Sequence, residues 1–161
     1  MGTLISAGDY QTIRPAELED LGGLTALLEP LMQQGILVPR TQAQIEAQLS
    51  DYFVETRDGM IVGSVALHKF AHTRIAELAC LAVDERYRTA GRGQALLAAA
   101  EEIARKNNID QIVVLTTQTA HWFVERGYAA CSIEDLPVEK KMLYNHKRNS
   151  KAFLKNLTAK T

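Results

Sequence analysis

Cysteine is scarce in this chain: two residues, Cys80 and Cys131, among 161. Neither belongs to a CxxC pair and both sit among apolar neighbours, so the expectation is two buried thiols rather than a disulfide framework. No His/Cys cluster has ligand spacing, which predicts no metal site. Long apolar runs are missing too. No stretch reaches the roughly 18 residues of a membrane span. Residues 1–9 lack the basic and apolar regions of a signal peptide, and the expectation is a cytoplasmic protein. Net charge is only −1, but seven of the 18 basic residues (Lys140, Lys141, Lys147, Arg148, Lys151, Lys155 and Lys160) lie in 140–161, where no acid occurs. Such an end reads as a solvated tail or a site for an acidic ligand. Aromatic residues are not interleaved with these charges beyond Tyr144 and Phe153, which ranks nucleic-acid binding last.

What is present is a globular composition. Hydrophobic residues make up 47% of the chain, enough at this length for one domain with a proper core. Residues 1–9 read as a linker or domain junction, 10–156 as the domain and 157–161 as a tail. Gln11–Arg14 is a short strand candidate. Pro15 and the acids Glu17, Glu19 and Asp20 suit a helix start. Leu21, Leu24, Leu27, Leu28 and Leu31 give that helix its apolar face, and Gly35 stops it. Gly22 and Gly23 each cost about 1 kcal/mol of helix propensity, which predicts irregularity there. Thr41 and Gln44 form a capping box for a helix over Gln42–Ser50. Asp58–Gly59 is a strong hairpin signal between strands Tyr52–Arg57 and Met60–His68. Further strands are expected over Gln111–Thr116, Tyr128–Ile133 and Ser150–Leu154, with a short helix over Thr119–Arg126 that Gly127 ends.

The chain is organised around Ile75–Lys106. Ile75–Val83 is an apolar run interrupted only by Glu77, the pattern of a strand buried on both faces. Arg88, Gly91 and Gly93 follow in the spacing R-x-x-G-x-G, and Gln94–Lys106 repeats apolar residues at helical period. Strand, glycine loop and helix N-terminus together can hold a phosphate on backbone N–H groups. A dinucleotide loop would need a small residue where Leu96 stands. A Walker A loop would end in Gly-Lys-Ser/Thr, which is absent. The full order, β-α-α-β-β-β-α-β-α-β-β, predicts a mixed α/β fold with one sheet of six to seven strands flanked by about four helices.

The loop, that element order and the segment WFVERGY resemble the GCN5-related N-acetyltransferase (GNAT) family over nearly the whole chain. Within it, GILVPR, ELACLAV, YRTAGRG, VLTTQTAHWFVERGY and LYNHKRNSK are similar to the acetyltransferase domain of the bacterial N-acetylglutamate synthases. The resemblance implies a GNAT fold and acetyl-CoA as cosubstrate without a metal. It implies L-glutamate as acceptor, a place in arginine biosynthesis, and an amino-acid-kinase-like domain ahead of this one. Homo-oligomer formation stays open. So do two other readings: an acetyltransferase for another amine, and a CoA-binding regulatory module without turnover.

Amine acetylation needs a base for the ammonium, donors for the oxyanion and support for the departing thiolate. Glu77 suits the base, since desolvation raises a carboxyl pKa; it equally suits a strand-end carboxylate paired with Arg74, and the resemblance favours the base. The resemblance places Leu81, Ala82 and Val83 along the pantetheine arm, with the Leu81 N–H as oxyanion donor. It puts Arg88, Gly91, Arg92, Gly93 and Gln94 around the pyrophosphate through main-chain N–H groups; the side chains of Arg88 and Arg92 suit added charge there and equally suit surface arginines. Thr116 matches the hydroxyl proposed as acid, although a threonine hydroxyl is a poor acid and equally suits a hydrogen bond to the sulfur; Phe123 stands where many relatives carry tyrosine. Arg40, Arg148 and Ser150 match acceptor-binding positions, and Cys80, beside the base, can contribute backbone contacts.

Overall fold

The computed structural model describes residues 13–87, 91–116, 118–132, 134, 136 and 151–157. Among the described residues seven strands form one mixed sheet: β1 Ile13–Pro15, β2 Tyr52–Arg57, β3 Met60–Lys69, β4 Ile75–Val83, β5 Gln111–Thr116, β6 Ala129–Cys131 and β7 Lys151–Asn156. Four α-helices accompany them there: α1 Leu21–Gln33, α2 Gln42–Ala47, α3 Arg92–Lys106 and α4 Ala120–Val124. The strand order is β1-β2-β3-β4-β5-β7-β6. The chain falls into two compact units, one of Met1–Leu67 with Cys80–Ala100, the other of His68–Ala79 with Glu101–Thr161.

In the first unit, β1, β2 and β3 form an antiparallel meander. Its hairpin is set by Asp58 and Gly59, whose φ values of 52° and 81° fit the left-handed pair that matches the strand twist. A register shift between Glu55 and Thr56 marks a bulge in β2. Helix α2 opens on the capping box: Thr41 Oγ1 accepts from the Gln44 N–H and Gln44 Oε1 from the Thr41 N–H. Helix α1 follows a single 3₁₀ turn at Leu18–Asp20 and starts at Leu21. Gly22 and Gly23 therefore occupy its first turn, where little helix precedes them to be disrupted. Leu24, Leu28, Ile45, Tyr52, Val54, Val62, Val65 and Leu96 are fully buried in this unit.

In the second unit, β4 and β5 run parallel from Ile75↔Gln111 to Leu78↔Val114, and β7 pairs antiparallel with both β5 and β6. Val113, Leu136 and Ala152 form one buried cluster of this unit, with Ile75, Leu115, Cys131 and Leu154 packed against it. Cys131 is half-buried rather than buried. The basic end is only partly a tail. Lys155 Nζ donates to both carboxylate oxygens of Glu101 at 3.1 and 3.2 Å, Tyr128 Oη donates to Glu101 Oε2 at 2.8 Å, and Leu157 is buried with its N–H on the Asp110 carbonyl.

Candidate active site

Strand β4 carries the candidate base. Glu77 is buried and pairs across the sheet with Val113. Arg74, its alternative structural partner, instead forks onto Asp110 through Nε at 2.7 Å and Nη2 at 3.2 Å. Three residues after Glu77 the strand departs from regular geometry. Cys80 has φ 55°, a conformation non-glycine residues adopt only under outside constraint. The constraint is visible: the buried Ser64 hydroxyl donates to the Cys80 carbonyl at 2.8 Å, and its side chain is gripped as well. Leu81, Ala82 and Val83 continue β4 beyond this kink.

Arg40 and Cys80, 40 residues apart, meet: Arg40 Nη1 lies 3.0 Å from Cys80 Sγ. The Tyr52 hydroxyl lies 3.6 Å from the same sulfur. Burial, then the neighbouring thiol, pushes the Tyr52 phenol well above its ordinary pKa, so it keeps its proton. Arg40 also donates its backbone N–H to Met32 Sδ at 3.2 Å. Tyr52 was absent from the sequence-based set, and nothing local to residue 52 distinguishes it from a core tyrosine.

At the glycine loop, Arg88 lies outside the described residues. Gly91 has φ 68°, with open space where a Cβ would sit. Helix α3 begins at Arg92, one turn's edge earlier than the Gln94 start expected, so Gly93 and Gln94 belong to its first turn. First-turn N–H groups have no acceptor four residues back in the helix, and the dipole favours an anion there. The Arg92 side chain departs from expectation. Its guanidinium bonds the Glu55 carboxylate and lies 5.7 Å from the Tyr87 ring centroid, so the charge expected for a pyrophosphate is already paired. Glu55 is buried and was not foreseen; its partner lies 37 residues along the chain.

Thr116 ends β5, buried, with Oγ1 2.8 Å from Thr119 Oγ1. It also accepts the Thr119 N–H at 3.0 Å. Phe123 is buried in edge-to-face contact with Trp122 and Tyr128. Arg148 and Ser150 lie outside the described residues. A cavity of about 710 Å³ is lined by His72, Thr73, Arg74, Ile75, Asp110, Gln111 and Asn156. It contains none of the expected site residues and sits where β4 and β5 begin, whereas parallel strands present ligands at their carboxyl ends. Among the described residues no group of three or more His, Cys, Asp or Glu could hold a metal, and no helix is long and apolar enough to cross a membrane.

The chain is similar to known proteins in sequence and in fold. An amino-acid acetyltransferase of Pseudomonas putida is 46% identical over 156 residues, 97% of this chain and 36% of its own length. N-acetylglutamate synthase from Neisseria gonorrhoeae, solved with coenzyme A and N-acetyl-glutamate, superimposes with a TM-score of 0.87 at 36% identity, over 90% of this chain and 34% of that one. The same enzyme with coenzyme A and L-arginine gives 0.81 at 34% identity, over 91% and 33%. The chain thus spans about a third of the length of the curated relatives it matches. Residues 24–128 match the model of the acetyltransferase (GNAT) family, and the chain belongs to that family.

Proposed function

We propose that this chain is the acetyl-transferring part of an N-acetylglutamate synthase, moving acetyl from acetyl-CoA to the α-amino group of L-glutamate. The observation that carries the reading is the likeness, over nine-tenths of the chain, to a synthase solved with coenzyme A and N-acetyl-glutamate. Gly91 and the first turn of α3 suit a pyrophosphate: the left-handed glycine leaves room for close approach, and the Arg92 and Gly93 N–H groups open the helix. The Glu77 carboxylate takes the ammonium proton, directly or through water, freeing the amine to attack the thioester carbonyl. The Leu81 N–H donates to the oxyanion, and the Thr116 hydroxyl bonds the sulfur as it leaves. Arg40, with Cys80 beside it, binds an acceptor carboxylate; Arg148 and Ser150 complete that site. On this reading the amino-acid-kinase-like domain expected from the sequence belongs ahead of this transferase, in keeping with relatives of which the chain spans 36%. The compartment is the cytoplasm, where thiols at Cys80 and Cys131 stay reduced.

The test is CoA release from acetyl-CoA across the twenty amino acids, in parent and Glu77→Gln. The parent prefers glutamate. The variant loses on the order of 10²- to 10⁴-fold in kcat at neutral pH, and the deficit shrinks as pH rises toward the amine's own pKa. Turnover with another amino acid would replace the acceptor assignment. A variant within threefold of the parent, with the same pH profile, would leave Glu77 a structural carboxylate.

A further inference from the structure

Among the eight described arginines, seven have an aspartate or glutamate within ion-pair distance: Arg14, Arg57, Arg74, Arg86, Arg92, Arg105 and Arg126. Arg40 is the exception. It is half-buried and its guanidinium is anchored on a sulfur. A carboxylate anchor would satisfy Arg40 and cancel its charge. The Cys80 sulfur at 3.0 Å and the Val38 carbonyl at 3.5 Å hold Nη1 without a carboxylate of the chain, which suits the guanidinium for a carboxylate ligand.

We propose that Tyr52 is a positioning residue for the acceptor, acting through the Cys80 sulfur to hold the Arg40 guanidinium in its binding orientation. The inference rests on the reading of Arg40 as an acceptor-carboxylate ligand. Tyr52 is fully buried at the start of β2, so its hydroxyl is fixed by the core rather than by solvent. It and Arg40 Nη1 converge on one atom, Cys80 Sγ, at 3.6 and 3.0 Å. The phenol keeps its proton, so hydroxyl and thiol can share a hydrogen bond in either direction while Arg40 Nη1 donates to the same sulfur. The residue between them is the strained one: φ 55° at Cys80 aims its side chain, and the Ser64 hydroxyl on its carbonyl holds that aim. Arg40 is tethered at its other end by the N–H to Met32 Sδ contact. An arginine with several rotatable bonds is thereby confined at both ends before the acceptor arrives, which cuts the ordering cost of binding.

The experiment is a calorimetric titration of L-glutamate into the CoA-saturated protein, for the parent, Tyr52→Phe, Arg40→Ala and the double variant, with steady-state kinetics alongside. Tyr52→Phe should weaken glutamate binding about five- to tenfold and raise its KM in proportion. CoA affinity and kcat should stay within twofold of the parent. In the Arg40→Ala background the same change should add nothing, because the group it positions is gone. Parental glutamate affinity in Tyr52→Phe overturns the proposal. So does an undiminished loss on top of Arg40→Ala, or an equal loss of CoA affinity, which marks a merely structural tyrosine. Should Tyr52→Phe fail to fold, Cys80→Ala should show the same loss of glutamate affinity and no further loss in the Arg40→Ala background. If instead Arg40→Ala binds glutamate like the parent, the acceptor assignment itself fails, and that result is read from the single variant alone.

Discussion

Gly63 shows how closely the first unit is packed. A Cβ there would lie 2.8 Å from Leu96 Cδ1 and 3.4 Å from both the Ala82 carbonyl and Glu55 Oε1. Gly63→Ala should lower unfolding stability by about 1–3 kcal/mol, the usual cost of overpacking a filled core, as read from a urea melt. The neighbouring Glu55 tests a different effect. Removing it leaves the Arg92 guanidinium, only 18% exposed, without its carboxylate. Glu55→Ala should cost about 3 kcal/mol, whereas Arg92→Ala with Glu55→Ala should cost less than the two singles summed. These side chains also mark where sequence reading ends at this scale. Glu77 was legible because a lone acid in an apolar run is conspicuous. The Glu55–Arg92 pair was not, since no local pattern reports a partner 37 residues away. Nor was the left-handed Cys80, because only glycine or asparagine announces that conformation in a sequence.

Elements with strong local chemistry were read to the residue. Strands Tyr52–Arg57, Ile75–Val83 and Gln111–Thr116 stand as expected, and so does the Thr41 capping box. Ends without such signals moved: the expected helix over Gln42–Ser50 is α-helical to Ala47 and followed by a 3₁₀ turn at Leu49–Asp51, and the strand expected from Tyr128 starts at Ala129. The start of α1 moved too, and here the structure supplies a testable device. Arg14 forks onto Asp20 at 2.7 and 2.9 Å, and the Glu17 N–H reaches the same carboxylate at 2.7 Å. The Arg14 hydrogen bond, against an opposing pull from burial, holds the Asp20 carboxyl below its ordinary range. A folded pKa below the unfolded one means the stabilisation is complete above the unfolded carboxylate pKa, about 4. It is then lost as pH falls through the folded value. Asp20→Asn should lower stability at neutral pH on the order of 1 kcal/mol, modest because Arg14 is partly exposed. Its melting temperature should converge on the parent's in acid. Parallel pH profiles would mean that Asp20 contributes nothing through its charge.

At the scale of the whole molecule, the element order predicted a mixed sheet, but not that β7 would insert between β5 and β6. Consecutive strands are the default neighbours, and the pairing of Ile112 with Lys155 or Val113 with Leu154 joins residues with no local relation. The family was more legible than the topology, because the glycine loop and the helix after it lie within one strand–loop–helix unit, inside the residues that match the family model. That unit allows a prediction about global stability. A ligand that binds only the folded chain stabilises it by about 2.7 kcal/mol at a hundred times its Kd. For a protein of 161 residues, each kcal/mol is worth about 2–4 °C. Saturating CoA should therefore raise the melting temperature by roughly 5–10 °C. Gly93→Val places a branched side chain in the first turn of α3, where phosphate must approach the backbone. It should weaken CoA binding at least tenfold, which removes about 1.4 kcal/mol, or roughly 3–6 °C, of the shift at the same CoA concentration. The melting temperature without ligand should change far less than that. An undiminished CoA shift in a folded Gly93→Val variant would place the pyrophosphate away from α3.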